Sequence, residues 1–333
     1  MLGERFEREI REQPEVWRRI ARSSQAAELA DAIRGSNDVI LVGSGSSLFV
    51  AMLGALALRR RGVRAAALAA TEAAFECGAY RGRTVLALSQ SGRSADVLRA
   101  IELLEPARLV ALTNDRTAPL AARADVVLDV AAGAETAVPA TKSVTAMVAV
   151  LLWGAALVAG VSDRGAATLD RTAGDVAAWL ADGHALGDVE RAAERIAPQR
   201  SILVAGAGYG VPIACEIALK IKESTYVHAE GFAAGEFRHG SAAILDVRTA
   251  LIGVVDDASR DIVRRPLAEA ERTDSLRYTI GGDAGGVPRL GPRTGDAFNT
   301  LGWLVTGQML ALAIGRRRGI DGDAPRGLTK FVP

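Results

Sequence analysis

Short apolar runs alternate with stretches of helical spacing along most of the chain. In the first half, the runs predict strands at Val39–Val42, Ala65–Ala69, Thr84–Leu88, Leu109–Leu112 and Val126–Val130. Helical spacing predicts an amphipathic segment that begins at Phe6 and is interrupted at Pro14. It also predicts a helix that ends at Leu58, a helix that begins near a Thr71 cap, and a helix that begins after Thr141. Two further helices are predicted at Ser94–Leu104 and Pro119–Arg123. Apolar strands separated by helices form parallel sheets covered on both faces. This half therefore predicts an α/β domain.

The same pattern starts again in the second half. A helical stretch, Ala167–Ile196, leads to a strand, a glycine turn and a helix (Ser201–Gly208, then Pro212–Lys222), offset by about 162 residues from Val39. A strand, a helix, a strand and a long helix follow, at Ala250–Val255, Ser259–Glu271, Leu276–Ile280 and Ala297–Arg316. We interpret this as internal duplication of a doubly wound domain, with domains at 1–160 and 197–333 and a helical connection at 161–196.

Length and charge agree with this division and exclude some functions. The chain has 333 residues, enough for two domains of about 150. It has 40 basic and 39 acidic residues and no basic stripe, so we expect no nucleic-acid partner. The arginine triplets at 59–61 and 316–318 follow apolar helical runs, where they complement the helix dipole.

Cysteine usage and the apolar segments favour a cytoplasmic protein. Cys77 and Cys215 lie far apart without metal-ligand spacing, so we expect two buried thiols. The charged N-terminus does not resemble a signal peptide, which makes a reducing cytosol the default. Val144–Val161 is nearly free of polar groups, and we interpret it as a buried helix between domains rather than a membrane span.

Two hydroxyl-rich turns are candidates for anion binding. Gly43-Ser44-Gly45-Ser46-Ser47 follows a predicted strand and opens a helix, but it lacks the fingerprints of dinucleotide and nucleotide sites. Ser89-Gln90-Ser91-Gly92-Arg93-Ser94 repeats the design after a neighbouring strand. A helix cap needs one hydroxyl, whereas these turns have several beside backbone amides that favour an anion. Together they predict a phosphate cradle without lysine, suited to a sugar phosphate.

A third segment concentrates ionisable side chains. Eight lie within 24 residues: Glu216, Lys220, Glu223, His228, Glu230, Glu236, Arg238 and His239. The first three share one helical face, so a solvated, salt-bridged helix is one interpretation. Two of the three histidines of the chain also fall here, and a carboxylate with a histidine suits proton transfer along a sugar chain. No HExxH motif or cysteine pair accompanies them, so we expect no metal, and no cofactor is predicted.

These motifs together resemble the sugar isomerase (SIS) domains, the family of the isomerase half of glucosamine-6-phosphate synthase. The resemblance runs over nearly the whole chain. Its most specific pieces are Ser89–Gly92, Ala140–Lys142, Ala218–Glu230, Ala234–Gly240 and Pro325–Lys330. It implies two tandem flavodoxin-like three-layer α/β sandwiches acting on a sugar phosphate.

The family's site residues carry over position by position. The resemblance implies that Glu223 moves a proton between C1 and C2, that His239 helps to open the sugar ring from the partner subunit, and that Lys330 engages the open-chain carbonyl end. Val138 and Lys142 match residues near the substrate. The phosphate would lie against Ser46, Ser47, Ser89, Gln90, Ser91 and Ser94.

Three positions depart from the family pattern. Arg93 stands where an acidic residue is usual, Ala140 replaces a common serine, and Gly231 replaces a more usual alanine. Arg93 adds a charge beside the cradle, which a phosphate contact or a surface ion pair would explain. The departures bear on the identity of the substrate within the class.

The resemblance implies a hydrolase-type deaminase as the leading hypothesis. Leu2 stands where a glutaminase half would have its nucleophilic cysteine, so we expect no ammonia production from glutamine. The enzyme would convert glucosamine 6-phosphate to fructose 6-phosphate and ammonia. The alternatives are a fructosamine-6-phosphate deglycase, a galactosamine-6-phosphate deaminase or isomerase, and a sugar-phosphate-sensing binding protein. A homodimer with shared sites is implied, because His239 would act across an interface.

Overall fold

The computed structural model describes residues 1–36, 38–161, 164–292 and 298–330. Backbone packing divides the chain into two units. The N-unit comprises Glu15–Glu135, Lys142–Asp170 and Thr329–Pro333, and the C-unit comprises Met1–Pro14, Thr136–Thr141 and Arg171–Leu328. The predicted domains are continuous in sequence, whereas each of these units includes short segments from the other half of the chain. The C-unit includes Met1–Pro14 and Thr136–Thr141, and the N-unit includes the segment that begins at Thr329.

The elements of the first half follow the predicted alternation closely. The strands are β1 (Val39–Gly43), β2 (Ala65–Ala69), β3 (Thr84–Ser89), β4 (Arg108–Thr113) and β5 (Val126–Asp129). The helices are α1 (Glu4–Arg11), α2 (Gln13–Ala21), α3 (Gln25–Ile33), α4 (Ser46–Arg59), α5 (Ala73–Tyr80), α6 (Ala95–Leu104), α7 (Pro119–Arg123) and α8 (Lys142–Val158). Helix α3 was not predicted. Thr71 is not a cap, because it lies inside a short 3-10 turn, Ala70–Glu72, that precedes α5.

The second half repeats the arrangement with two strands that the sequence pattern did not predict. Its strands are β6 (Ser201–Gly206), β7 (His228–Ala233), β8 (Thr249–Val255), β9 (Leu276–Gly281) and β10 (Arg289–Leu290). Its helices are α9 (Gly165–Ala181), α10 (Gly183–Ile196), α11 (Gly210–Thr225), α12 (Arg260–Arg272) and α13 (Asn299–Arg317). The predicted start of the last helix, Ala297, lies outside the described residues.

Both sheets have the same strand order. Within the described ranges, each has five strands, ordered β2-β1-β3-β4-β5 in the N-unit and β7-β6-β8-β9-β10 in the C-unit, with every pair parallel. Counted from its own first strand, each order is 2-1-3-4-5, the flavodoxin-like winding. The prediction of two tandem doubly wound domains is therefore confirmed, and the shared order supports an internal duplication.

Strand β7 was missed because its composition is atypical of a strand. It contains His228, Glu230 and Gly231, residues that lower strand propensity. It lies at the edge of its sheet, where His228 and Glu230 are exposed and Ala229 is buried. Gly231 has a packing reason, since a Cβ there would lie 2.5 Å from the Cα of Cys215 in α11. The close approach of α11 to β7 accounts for glycine at this position.

The predicted helical stretch before β6 is two helices. Asp182 separates them, and its carboxylate accepts hydrogen bonds from the backbone amides of His184 at 2.9 Å and Ala185 at 3.3 Å. These are donors that the first turn of a helix leaves without intrahelical partners. Asp182 is thus the N-cap of α10, which the sequence pattern did not separate from α9.

The long apolar segment forms helix α8, whose residues from Lys142 to Leu152 are all buried. No helix within the described ranges has the length and apolarity needed to cross a bilayer. The prediction that both thiols are buried is wrong, because Cys77 and Cys215 are each only half-buried. Burial still raises the pKa of the Cys215 thiol.

Candidate functional site

The two hydroxyl-rich turns leave adjacent strands of the N-unit at the same edge of its sheet. Strands β1 and β3 pair in parallel, with Val42 opposite Ala87, so the turns after Gly43 and Ser89 lie side by side. This is the switch point of the winding, because β1 also pairs with β2 on its other side. Ligands of doubly wound sheets bind in the crevice at such a point.

The first turn brings the start of α4 close to the end of β1. A Cβ on Gly43 would lie 2.6 Å from the carbonyl carbon of Ser47, so only glycine allows this approach. Gly45 has a positive φ of 56° and precedes the first helical residue, Ser46. The N-terminus of α4, with Ser46 and Ser47 in its first turn, therefore lies at this edge of the sheet, where the helix dipole favours an anion.

The second turn is fixed by its own side chains. The hydroxyl of Ser89 accepts a bond from the amide of Gly92 at 3.1 Å, and that of Ser91 accepts one from Arg93 at 3.2 Å. An accepted bond uses a lone pair of the hydroxyl, so each O–H hydrogen can still be donated to an anion. The turn is thus shaped before any ligand arrives.

The other predicted phosphate contacts are polar groups without internal partners. In the described part of the chain, the side chains of Ser46, Ser47, Gln90 and Ser94 make no hydrogen bonds, and all are half-buried. Donors in a partly desolvated turn are well suited to phosphate oxygens. The structure thus brings all six residues of the predicted cradle to one edge of the N-unit sheet.

Arg93, the departure beside the cradle, forms an ion pair. Its Nη2 lies 2.9 Å from Oδ2 of Asp115, which follows β4, and both side chains are partly exposed. Asp115 also accepts bonds from the hydroxyl of Thr117 at 2.6 Å and from its amide at 2.8 Å. The bonds from Thr117, with the guanidinium of Arg93, hold the pKa of Asp115 below its ordinary value. Of the two explanations for Arg93, the surface pair is the one present.

Val138 lies in a segment of the C-unit that α1 holds in place. The carboxylate of Glu9 is 1% exposed and accepts bonds from Thr136, at 2.6 Å from the amide and 3.0 Å from the hydroxyl. It also accepts a bond from the amide of Ala137, and the amide of Val138 donates to the carbonyl of Asp323 at 3.2 Å. The backbone around Val138 is therefore fixed by a buried carboxylate.

Glu223 lies near the end of α11 in contact with a buried lysine. The amine of Lys220 is 2.6 Å from Oε2 of Glu223 and 3.5 Å from Oε1 of Glu216. The side chains of Lys220 and Glu216 are 1% and 2% exposed, and that of Glu223 is 17% exposed. The interpretation as a solvated helix face is therefore wrong. Lys220 and Glu216 are buried, and Glu223 is the one member of this triad that is partly exposed to solvent.

The remaining ionisable residues of the third segment do not join this triad. His228 and Glu230 project from the edge strand β7, with 67% and 52% of their side chains exposed. Arg238 pairs with Glu269 at 3.4 Å. His239 is exposed in the turn after β7, where its amide donates to the carbonyl of Glu236 at 3.0 Å. Among the described residues, no cluster has a donor set that could hold a metal ion.

The two predicted lysines of the N-unit lie beside one short segment before α8. Lys142 is 3% exposed, and its amine donates to the carbonyl of Ala134 at 2.6 Å. Lys330, in the tail, lies 3.2 Å from Oε2 of Glu135, whose side chain is fully buried. The structure thus places one lysine against the backbone and the other against a carboxylate.

The C-unit has the same winding but not the same turns. Strand β6 is followed by Ala207 and Gly208, which supply no hydroxyls, and β8 is followed by Asp256 and Asp257. A cleft of about 510 Å³ at the ends of β8 and β9 is lined by these two aspartates and by Asp283, Arg260 and Arg289. The serine-rich turns of the N-unit therefore have no counterpart directly after β6 and β8.

A sequence profile of the SIS domain matches residues 32–157 and 195–272, more than half of the chain. The chain belongs to the SIS domain family. The glutamine–fructose-6-phosphate aminotransferase (isomerizing) of Pyrobaculum aerophilum is 29% identical to it over 353 residues, covering 98% of this chain and 56% of the relative. This SIS chain spans about half the length of the curated relatives it matches.

Solved structures agree with the family. A crystal structure from Silicibacter pomeroyi DSS-3, assigned provisionally to the phosphosugar isomerases, is 27% identical with a TM-score of 0.83, covering 97% of this chain and 100% of that one. Glucosamine-6-phosphate deaminase from Thermotoga maritima is 22% identical with a TM-score of 0.76, covering 95% and 99%. At that identity the second likeness shows the fold alone.

Several residues of this SIS chain that fix the site were not singled out from the sequence. Glu135 and Glu9 are the clearest, since Glu135 accepts hydrogen bonds from Ser143, which follows Lys142 in α8, and Glu9 accepts them from the segment that carries Val138. Glu9 had a signal, because it shares a helical face with the buried Phe6 and Ile10. Glu135 had none, because its partners Ser143 and Lys330 lie 8 and 195 positions away.

Tyr226 is a further residue of this kind. It ends α11 with a positive φ of 56°, and its hydroxyl accepts a bond from the amide of Arg326 at 2.6 Å. The guanidinium of Arg326 lies 4.4 Å from the centre of the Tyr226 ring. A cation over an aromatic face adds to this attachment. Within the C-unit, the start of the tail is thereby anchored three residues after Glu223.

Proposed function

We propose that this chain is an enzyme of aldose–ketose chemistry that converts glucosamine 6-phosphate and water to fructose 6-phosphate and ammonia. The observation that carries the proposal is the carboxylate of Glu223, held 2.6 Å from a buried lysine and still partly exposed. Proton transfer along a carbon chain needs a positioned carboxylate of this kind. Membership of the SIS family, whose relatives include an isomerizing aminotransferase and a deaminase, supports the substrate class.

The phosphate of the substrate would bind the two turns at the edge of the N-unit sheet. Their hydroxyls can donate to an anion without a lysine, and the turn after β3 is shaped in advance by Ser89 and Ser91. A group bound through a remote phosphate fixes the rest of the sugar for reaction. Arg93 is paired with Asp115, so we assign it no direct role in binding.

The reaction then follows from three groups. His239 assists the opening of the sugar ring, and Lys330 engages the open-chain carbonyl end. Glu223 takes the proton from C2 and returns it to C1, and a second proton passes from the amino nitrogen to O1, which converts the 2-amino aldose to a 2-imino ketose. Addition of water to that imine releases ammonia and leaves fructose 6-phosphate. A positioned acid–base group of this type contributes about 10²–10⁴ in rate.

We also propose that the active form is a homodimer in which His239 reaches the site of the partner. The support within this chain is that His239 is exposed on a turn of the C-unit and contacts no carboxylate among the described residues. An exposed histidine at such a turn is free to act on a neighbouring subunit.

The test is release of ammonia and fructose 6-phosphate from glucosamine 6-phosphate by the purified protein, without added metal or nucleotide. We expect stoichiometric release, and a loss of about 10²-fold or more in kcat for Glu223→Gln. Glu230→Gln is the matched control, because that carboxylate is close in sequence but exposed on β7. It should retain wild-type activity.

Other outcomes would select among the alternatives. Release of glucose 6-phosphate and an amine from a fructosamine 6-phosphate, without turnover of glucosamine 6-phosphate, would replace the deaminase with a deglycase. Turnover of the galacto epimer alone would change the sugar. A protein stabilised against heat by a hexose 6-phosphate, yet inactive on all of these, would be a binding protein and would refute the proposal.

A further inference from the structure

Glu135 is a fully buried carboxylate between β5 and α8. Its Oε1 accepts a bond from the amide of Ser143 at 3.1 Å, and its Oε2 accepts one from the hydroxyl of the same serine at 2.7 Å. Ser143 is the second residue of α8, where backbone amides lack intrahelical partners and the helix dipole favours negative charge. Both oxygens are therefore fixed by one residue of the helix.

The tail amine is attached to this fixed carboxylate. Nζ of Lys330 lies 3.2 Å from Oε2 of Glu135, and the lysine side chain is 14% exposed. A lysine side chain has many rotamers, and a bond to a rigid charged partner offsets much of the cost of restricting them. Lys142, the other lysine of this region, points its amine at the carbonyl of Ala134.

We propose that Glu135 is the positioning residue for the tail amine. It holds Nζ of Lys330 at the place from which that amine engages the carbonyl end of the open-chain sugar phosphate, and it receives the amine again after product leaves. This inference rests on the proposed function, because the carbonyl end belongs to the proposed substrate. No covalent step is required, since the carboxylate acts only through the charge and orientation of the amine.

A purely structural role for Glu135, as a cap of α8, makes a different prediction. In Glu135→Gln the amide oxygen can still accept the bond from the amide of Ser143, but the negative charge that attracts Lys330 is gone. In Ser143→Ala the hydroxyl bond to the cap is lost while the charge remains. The two variants therefore separate the hold on the tail from the stability of the helix.

The first test needs no turnover. The four lysines of the protein are labelled by formaldehyde and cyanoborohydride, and the fraction modified at Lys330 is measured by mass spectrometry against Lys222, which is exposed. We expect Glu135→Gln to raise the labelling rate of Lys330 about tenfold, and Ser143→Ala to change it little. An unchanged rate in folded Glu135→Gln, or an equal rise in Ser143→Ala, would overturn the proposal.

The second test is a double-mutant cycle in kcat on glucosamine 6-phosphate with Glu135→Gln, Lys330→Met and the pair. If Glu135 acts through Lys330, its loss lowers kcat about tenfold alone and adds nothing in the Lys330→Met background. Additive losses would show an independent role and contradict the inference. A wild-type protein that turns over no amino-sugar phosphate refutes the proposed function instead, and the labelling result then stands by itself.

Discussion

The amine of Lys220 lies 2.6 Å from the carboxylate of Glu223, one turn away on the same helix, and is 1% exposed. At 3.5 Å it also faces the carboxylate of Glu216, which is 2% exposed. One buried cation therefore serves two carboxylates of different exposure. Glu216 offsets the charge of the lysine in the interior, and the lysine in turn fixes the orientation of Glu223 at the surface of the C-unit.

Replacing Lys220 should destabilise the fold as well as the site. Lys220→Met leaves Glu216 buried without its cation, which costs about 3–5 kcal/mol of unfolding free energy. Adding Glu216→Leu to the same chain should restore most of that loss, because neither charge of the buried Lys220–Glu216 pair then remains. Urea unfolding measures both values.

The matched control is Arg99→Met, which breaks an exposed pair of the same i, i+3 spacing with Glu102. Exposed pairs contribute less than about 1 kcal/mol. A similar small loss for Lys220→Met would contradict the buried triad.

The second prediction concerns the shape of the turn after β3. Gly92 has a φ of +61°, and a Cβ there would lie 2.6 Å from the Cβ of Ala118 and 3.1 Å from the hydroxyl oxygen of Thr113. Gly92→Ala should therefore shift the amides and hydroxyls of the cradle. We expect the Kd for a hexose 6-phosphate, measured by calorimetry, to rise at least about tenfold.

Gly82→Ala is the control for Gly92→Ala. Gly82 has a similar φ of +72°, but a Cβ there meets nothing within 4 Å. Both variants carry the cost of a left-handed alanine, about 1–2 kcal/mol, and only Gly92→Ala adds the steric conflict. Equal affinity of the two variants for the ligand would show that the turn does not depend on this close approach.

The parallel character of both sheets was predictable because their central strands are buried on both faces. Runs such as Val39–Val42 and Ile202–Val204 are apolar throughout, which is typical of a parallel strand covered by helices. The edge strand β7 escaped prediction for the converse reason. It has one neighbouring strand, and its exposed positions are occupied by charged residues.

The site was predictable only as far as residue types repeat in short motifs. The cradle follows from serines clustered in two turns, and their juxtaposition follows from the winding. The contacts of Glu135 and Glu9 could not be predicted in this way. Their partners lie 8, 127 and 195 residues away in the sequence, and such contacts depend on packing that no local pattern encodes. The burial of Lys220 likewise was not evident, since its i, i+3 and i, i+4 neighbours equally suit a solvated face.

A third prediction follows from Glu7, which receives hydrogen bonds from Arg316 at 2.7 Å and from Arg11 at 2.8 Å. Burial alone would raise the pKa of Glu7, but the bonds and charges of Arg316 and Arg11 outweigh it and hold the pKa below the ordinary 4.5. A carboxylate with a lowered folded-state pKa stabilises the fold above its unfolded pKa. That stabilisation is lost as the pH falls through the folded-state value.

Glu7→Gln should therefore lower the free energy of unfolding at pH 7, and its difference from the wild type should shrink as the pH falls below 4.5. Urea unfolding at a series of pH values measures this. Glu15→Gln is the control, because Glu15 is exposed and lies 3.5 Å from Arg18. A difference for Glu7→Gln that stays constant with pH would assign the effect to packing rather than charge.

The proposed homodimer, in which His239 would act on the partner's site, gives the last prediction. The variants Glu223→Ala and His239→Ala should each be inactive alone, because each lacks one of the two groups that a site needs. In a mixed dimer, one site loses both groups and the other regains both. Random reassociation of equal amounts should then restore about a quarter of the wild-type activity, since half of the dimers are mixed and each has one complete site. Mixed dimers, isolated by two different affinity tags, test this directly. If they form and remain inactive, His239 acts within its own chain or not at all, and the exposed turn after β7 needs another explanation.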